Sequence, residues 1–155
     1  LLSRLVYSQH KNCLLLDRGF TPGDEPVKLC IRNGESVEFR KWLSVEFDFC
    51  GESVGLFKLS AGVAEKIIAQ SELYLAQGRR LDPYEEAIRD VLLTSRRHTF
   101  SYEDITGMPW IEIDFSADIE RANAVILPQI MKAEDARRAA ILIKPDVVHD
   151  DIQRL

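Results

Sequence analysis

The stretch Val27-Lys28-Leu29-Cys30-Ile31-Arg32-Asn33-Gly34-Glu35-Ser36-Val37-Glu38-Phe39-Arg40-Lys41 decides the fold class. Asn33-Gly34 at its centre supplies two neighbouring residues that tolerate positive φ, which a tight hairpin turn requires. Apolar residues alternate on both sides of it: Val27, Leu29 and Ile31 before the turn, Val37 and Phe39 after it. Alternation at period two buries one face of a strand and wets the other. Residues 27–32 and 36–41 are therefore expected to pair as an antiparallel hairpin.

Upstream, Cys13-Leu14-Leu15-Leu16-Asp17 is a short apolar run ending in an acid, as in a buried strand. Residues 18–26 between it and the hairpin are dense in glycine and proline and read as a loop. Residues 1–8 place Leu1, Leu2, Leu5 and Val6 on one helical face. The chain opens at Leu1 with neither Met nor a polar lead-in, so it reads as a fragment that starts inside a helix.

Downstream, an extended stretch at 45–49 leads into Gly51-Glu52-Ser53-Val54-Gly55 and then Leu56-Phe57-Lys58-Leu59. A helix over 62–77 is expected to bury Ala64, Ile67, Ile68 and Leu75, with Gly78 as its stop. Asp82-Pro83-Tyr84-Glu85 has the form of a capping box opening a second helix, with Tyr84, Ala87, Ile88 and Val91 facing inward. Strands are expected at 98–102 and 110–114. Ser116 then caps a third helix, with Asp118 and Glu120 in its first turn and Ile119, Ala122, Val125 and Ile126 buried. Beyond Pro128 the pattern weakens; 134–143 has helix-forming residues but no clear face. The sum is an α/β fold, a mixed sheet flanked by helices.

Composition narrows the function. At 155 residues, 46% hydrophobic and 29% charged, the chain has the make-up of one globular domain. A net charge of −5 with no basic stripe argues against a nucleic-acid binder. No apolar run reaches the roughly 20 residues of a membrane span, and no signal peptide opens the chain. Cys13, Cys30 and Cys50 are widely spaced and flanked by apolar residues, so they read as buried free thiols of a reducing, cytoplasmic compartment.

Four groups of residues have the chemistry of a site: Asp24-Glu25 with Lys28, Lys41, Glu52 between its glycines, and Trp110-Ile111-Glu112-Ile113-Asp114. Each of the first three also has a plain structural explanation. Acids are usual in solvated loops, a lysine at a hairpin arm can guard an edge, and paired glycines can mark a strand bend. Asp114 ends an apolar strand directly before a helix, where α/β sheets place ligand-binding acids. A carboxylate there suits magnesium, a hard cation held by oxygen ligands.

The segment Trp110-Ile-Glu-Ile-Asp-Phe-Ser-Ala-Asp-Ile-Glu-Arg-Ala resembles the Trp-x-Glu-Ile-Asp-x-x-x-Asp-hydrophobic-x-x-Ala stretch of sugar-nucleotidyltransferase-like enzymes. The nearest likeness is to phosphocholine, inositol-phosphate and aminoethylphosphonate cytidylyltransferases. Gly51-Glu-Ser-Val-Gly-Leu-Phe-Lys is similar to their substrate-side strand, and Tyr84-Glu85 to the acidic helix start after it. The likeness spans residues 10–130 with gaps. It implies a Rossmann-like nucleotide-diphospho-sugar-transferase fold, here without its N-terminal nucleotide-binding half. It further implies cytidylyl transfer from CTP, or another NTP, to a phosphate or phosphonate acceptor, with pyrophosphate released and Mg2+ as cofactor. Position by position, Asp114 matches a metal-binding aspartate and Lys41 a phosphate-holding catalytic lysine. Glu52 matches a contact to the acceptor's head group, and Glu85 a second group of that pocket.

The chain departs from the family in having no Gly-x-Gly phosphate loop and no counterpart to the first metal-binding aspartate. On this reading residues 1–130 are the acceptor side of a nucleotidyltransferase, inactive alone, and 131–155 a helical or extended tail. An incomplete sheet leaves edges to cover, so homo-oligomers are expected. Two other readings stand beside it: a non-catalytic regulatory or oligomerising domain, and a fragment of a metal-dependent glycosyltransferase.

Overall fold

Leu14, Leu15 and Leu16 are all fully buried because their strand, β1 (Cys13–Asp17), lies inside a sheet with a neighbour on each side. The structure, a computed structural model, describes residues 1–21, 23, 26–132 and 142–143. The chain falls into two compact units, Arg4–Thr106 and the stretch from Gly107 onward joined by Leu1–Ser3.

The first unit is an α/β arrangement. Besides β1 it contains β2 (Lys28–Arg32), β3 (Glu35–Arg40), β4 (Phe49–Lys58) and β5 (Ser101–Asp104), in the order β3-β2-β4-β1-β5. The pairs β2–β3, β2–β4 and β1–β4 are antiparallel, while β1 and β5 run parallel, so the five-stranded sheet is mixed. The expected hairpin forms. Asn33 and Gly34 take φ of 52° and 76°, the left-handed conformation its turn demands.

Besides the short helix α1 (Leu2–Tyr7), two helices cover the sheet, α2 (Ala61–Ala76) and α3 (Tyr84–Thr94). Val63, Ile88, Val91 and Leu92 from these helices pack onto Leu14, Leu16, Leu29, Ile31 and Phe39 from the strands. Charge fixes α3 against the edge strand. Arg89 forks onto both oxygens of Glu38, which is 1% exposed, and Arg40 Nη2 reaches both oxygens of Glu86 at 3.0 and 3.1 Å. Burial alone would raise the Glu38 pKa. The Arg89 hydrogen bond, the Phe39 N–H and the two arginine charges outweigh it and hold the carboxyl below its ordinary value.

Gly51 sets how closely β4 approaches β1. A Cβ there would stand 2.7 Å from the carbonyl oxygen of Asp17 and 2.7 Å from the Leu16 side chain. Further along, Leu14 pairs with Phe57 and Leu16 with Ser53, so β4 carries extra residues opposite β1. Gly55, with φ of 70°, lies in that bulge. The two glycines thus belong to one long strand, where the sequence suggested two extended pieces.

The second unit holds β6 (Glu112–Ile113), paired in parallel with β7 (Leu142–Ile143), and one interrupted helix. That helix runs as α4 (Ser116–Arg121), a π turn over Ala122–Ile126 and α5 (Leu127–Lys132). The wide turn comes directly before Pro128, whose missing N–H and bulky ring disfavour regular α-helical bonding. Ile111, Ile113, Ile119, Ala122, Ile126 and Ile130 form its apolar cluster.

Several expectations are corrected. The N-cap position of α3 belongs to Pro83, and Asp82 binds Arg79 Nε at 2.8 Å in place of the helix amides. Ser116 is the first helical residue of α4; the free amides are met by Asp118, as described below. In α2, Val63 and Tyr74 are buried, whereas Ile68 and Leu75 are 58% and 55% exposed. Tyr84 and Val125 are also exposed, at 56% and 45%. Strand β5 starts at Ser101, because His98 turns the chain with φ of 58°. Residues 142–143 are strand; the rest of the expected 134–143 helix, and most of the 131–155 tail, lie outside the described residues.

Gly51→Ala is expected to destabilise the chain by about 2 kcal/mol or more, because backbone cannot yield as a side chain would. Urea unfolding followed by circular dichroism measures it. A loss under about 0.5 kcal/mol, the range of a neutral surface change, would show that β4 has room to move.

Candidate functional site

An ammonium group taken out of water needs nearly all of its hydrogen bonds replaced. Lys28, 7% exposed, meets that need with backbone carbonyls. Its Nζ donates to Gly23 at 2.7 Å, Pro26 at 3.1 Å and Lys41 at 2.7 Å. One side chain thus ties the loop before β2 to the residue just after β3. Register places Glu52 of β4 directly opposite Lys28 on one side and opposite Asp17 of β1 on the other. Residues directly opposed across strands share a face, so Asp17, Glu52 and Lys28 form one charged row across the middle of the sheet.

Of the expected site residues, Lys41 reaches Lys28 through its backbone carbonyl and Glu52 lies opposite Lys28 in register. Glu85 stands in the first turn of α3, half-buried. Its neighbours hold the helix in place: the Tyr84 ring meets Phe57 edge-on at 6.5 Å and Glu86 takes Arg40. Asp114 belongs to the other unit. Its N–H and that of Phe115 donate to Asp118 Oδ2 at 3.1 and 2.8 Å, so capping of α4 falls to Asp118 and not to Asp114. Asp24 and Glu25 lie outside the described residues.

Sequence reasoning passed over the acids at the carboxyl ends of the parallel strands, Asp17 and Asp104. Asp104 accepts hydrogen bonds from the Thr106 N–H and hydroxyl at 2.9 and 2.5 Å. Burial raises the Asp104 pKa, and those bonds with the Arg18 charge more than reverse it. The Arg18 guanidinium sits 4.5 Å from the centre of the Phe49 ring, while the Arg18 backbone N–H donates to Thr106 Oγ1 at 2.8 Å. The available signal was the ending of an apolar run in an acid, seen at Asp17 and left unused.

Cys30 and Cys50 face one another across β2 and β4 as free thiols. Burial, then the neighbouring Cys50 and Glu38, push the Cys30 thiol up to about 12.

Among the described residues no group of three or more His, Cys, Asp or Glu side chains is placed to hold a metal ion. No helix among them is long and apolar enough to cross a membrane. Compared with known proteins, the chain matches no family model and no curated protein.

The Cys30 shift gives a pH prediction. A thiol whose folded pKa is raised stabilises fully below the unfolded value, near 9, and that contribution is lost as pH climbs toward 12. Thermal unfolding between pH 8 and 11 should therefore fall less steeply for Cys30→Ala than for the parent chain. Parallel curves would show that Cys30 ionises as it does in the unfolded chain.

Proposed function

We propose that this chain is the acceptor-side part of a nucleotidyltransferase, one that passes a cytidylyl group from CTP to a small phosphate or phosphonate and releases pyrophosphate. The reading rests on the resemblance of residues 110–122 and 51–58 to that family. One structural observation supports it above others: Lys41 and Glu52, noted separately along the sequence, both adjoin the buried Lys28, Lys41 through its backbone carbonyl and Glu52 by strand register. A lysine and a carboxylate in the same region of a sheet would suit an acceptor with an anionic end and a cationic or hydroxylated head. Lys41 would hold the phosphate as a point charge. Glu52 would select the head group, with Asp17 adding a second carboxylate beside it.

Asp114 has the hard-oxygen chemistry that Mg2+ prefers, and magnesium is often held by one or two carboxylates together with substrate phosphates. The donor set fits part of such a site, since no group of three or more His, Cys, Asp or Glu side chains is placed to hold a metal among the described residues. When bound, the ion would offset charge building on the transferred phosphate. The chain's own residues would orient the acceptor oxygen toward that phosphate, and positioning of this kind can supply much of the rate. The Rossmann-like nucleotide half, which supplies a phosphate-binding loop in such enzymes, has no Gly-x-Gly counterpart here. Homo-oligomerisation and a cytoplasmic setting belong to the same reading.

Pyrophosphate release from CTP tests the proposal, with phosphocholine, an inositol phosphate or 2-aminoethylphosphonate as acceptor and Mg2+ present. The 155-residue chain alone is expected to release none. Joined to a Gly-rich nucleotide-binding segment, it is expected to turn over with one of these acceptors. In that form Glu52→Gln should raise KM about tenfold with little change in kcat, as loss of ground-state binding does. Lys41→Ala should lower kcat/KM by about 100-fold, a cost of about 2.7 kcal/mol. Turnover unaffected by either substitution would remove the acceptor site from this surface.

A further inference from the structure

At the other end of the same hairpin lies a cavity of about 650 Å³ that the proposed reaction does not use. Arg32, four residues beyond Lys28 on β2 and so about 13 Å along the strand, lines it with Ser36 from β3 and Arg96, Arg97 and His98 from the segment after α3. Its volume falls in the range of small-molecule pockets. We infer that it binds a small phosphate monoester, with the phosphate on the arginines and an apolar body on the wall made by Val37, Leu92 and Phe100.

The first argument is charge. In a chain of net charge −5, three arginines gather at one cavity that, among the described residues, is lined by a single acid, Glu35. Glu35 is already engaged: one of its oxygens accepts the His98 N–H at 2.9 Å and the other lies 2.9 Å from His98 Nε2. Arg32 has a partner in Glu46 at 2.9 Å, but that side chain is 84% exposed, and exposed pairs are weak. Arg96 and Arg97 carry no side-chain hydrogen bond or ion pair among the described residues. Arginine forks suit phosphate oxygens in a paired geometry that a lysine cannot copy.

The second argument is independent of charge. Ser36 lines the cavity, and its hydroxyl, closed off from solvent, has no hydrogen-bond partner among the described residues. A buried hydroxyl left alone costs free energy, which a ligand oxygen would recover once the Ser36 side chain rotates toward the cavity. The third is construction: the paired contacts of Glu35 hold His98 in its left-handed conformation and fix the arginine segment to the hairpin. Arginines just past a helix also complement its C-terminal carbonyls. That explanation covers Arg96 and Arg97 but neither Arg32, which comes from a strand, nor the solitary hydroxyl, nor the cavity itself. The carbonyls at the end of α3 oppose an anion, but three full positive charges exceed the half charge of one helix end.

Nuclear magnetic resonance of the 15N-labelled chain, titrated at constant ionic strength with phenyl phosphate and with inorganic phosphate, tests the inference. Phenyl phosphate should give saturable shifts centred on residues 36–37 and 95–100, with a Kd below about 1 mM. It should bind at least about threefold tighter than inorganic phosphate, because the ring adds apolar contact. Arg96→Gln with Arg97→Gln should weaken binding about tenfold or more. Lys66→Gln, at an exposed position on α2, should leave it unchanged. Shifts that fail to saturate by about 20 mM, that spread over basic residues throughout the chain, or that weaken equally in the Lys66 variant would each overturn it.

Discussion

No side chain has room at position 51, and much of the sheet follows from that. With glycine there, β4 lies close enough to β1 that the Asp17 carbonyl and Leu16 side chain occupy the space a Cβ would need. The same register sets the next residue, Glu52, between Asp17 and Lys28. Glu52 gains its surroundings from its neighbour's lack of a side chain. The packing constraint and the proposed acceptor contact are therefore adjacent links in one strand, and a change at either is felt at the other.

Lys28 supplies the second tie. A buried ammonium is costly unless fully hydrogen-bonded, and its three carbonyl partners come from the loop before its strand and from Lys41 beyond the next one. The cost of burying the charge is offset only while those segments stay in place, so the residue acts as a staple on the open end of the hairpin. The closed end is fixed differently, by the two contacts between Glu35 and His98. Between the ends, Glu38–Arg89 and Arg40–Glu86 hold α3 against the edge strand. Such pairs contribute little net stability, but breaking one by removing a single partner is expensive. They give the helix one preferred seat.

What was legible in the sequence was local. Asn33-Gly34 carries its turn in its own backbone preferences, and the alternation around it needs no distant partner. The parallel pairing of β1 with β5 joins Cys13 to Ser101 and Leu16 to Asp104, a contact no short window contains. Gly55 looked like an interruption because a bulge and a strand end share the same residue type. The face of α2 was misjudged because α3 decides it: Tyr74 is drawn inward by its hydroxyl's 2.6 Å bond to Asp90, while Ile68 stays outside. At the candidate site, residue types at Lys41 and Glu52 could be read, but not that the Lys41 carbonyl and the Glu52 register position both adjoin Lys28. Of the acids closing the parallel strands, Asp17 is legible as the end of an apolar run, but its alignment with Asp104's strand is not, because the two lie far apart in the chain.

The central claim is that the surface around Glu52 and Lys41 receives an acceptor, and it needs no nucleotide to be tested. Backbone amide shifts of the chain titrated with 2-aminoethylphosphonate and phosphocholine measure it most directly. The account predicts saturable shifts at residues 51–53 and 41–42 with at least one of the two, reduced in Glu52→Gln. Shifts confined to residues 95–100, or none at either place, would contradict it.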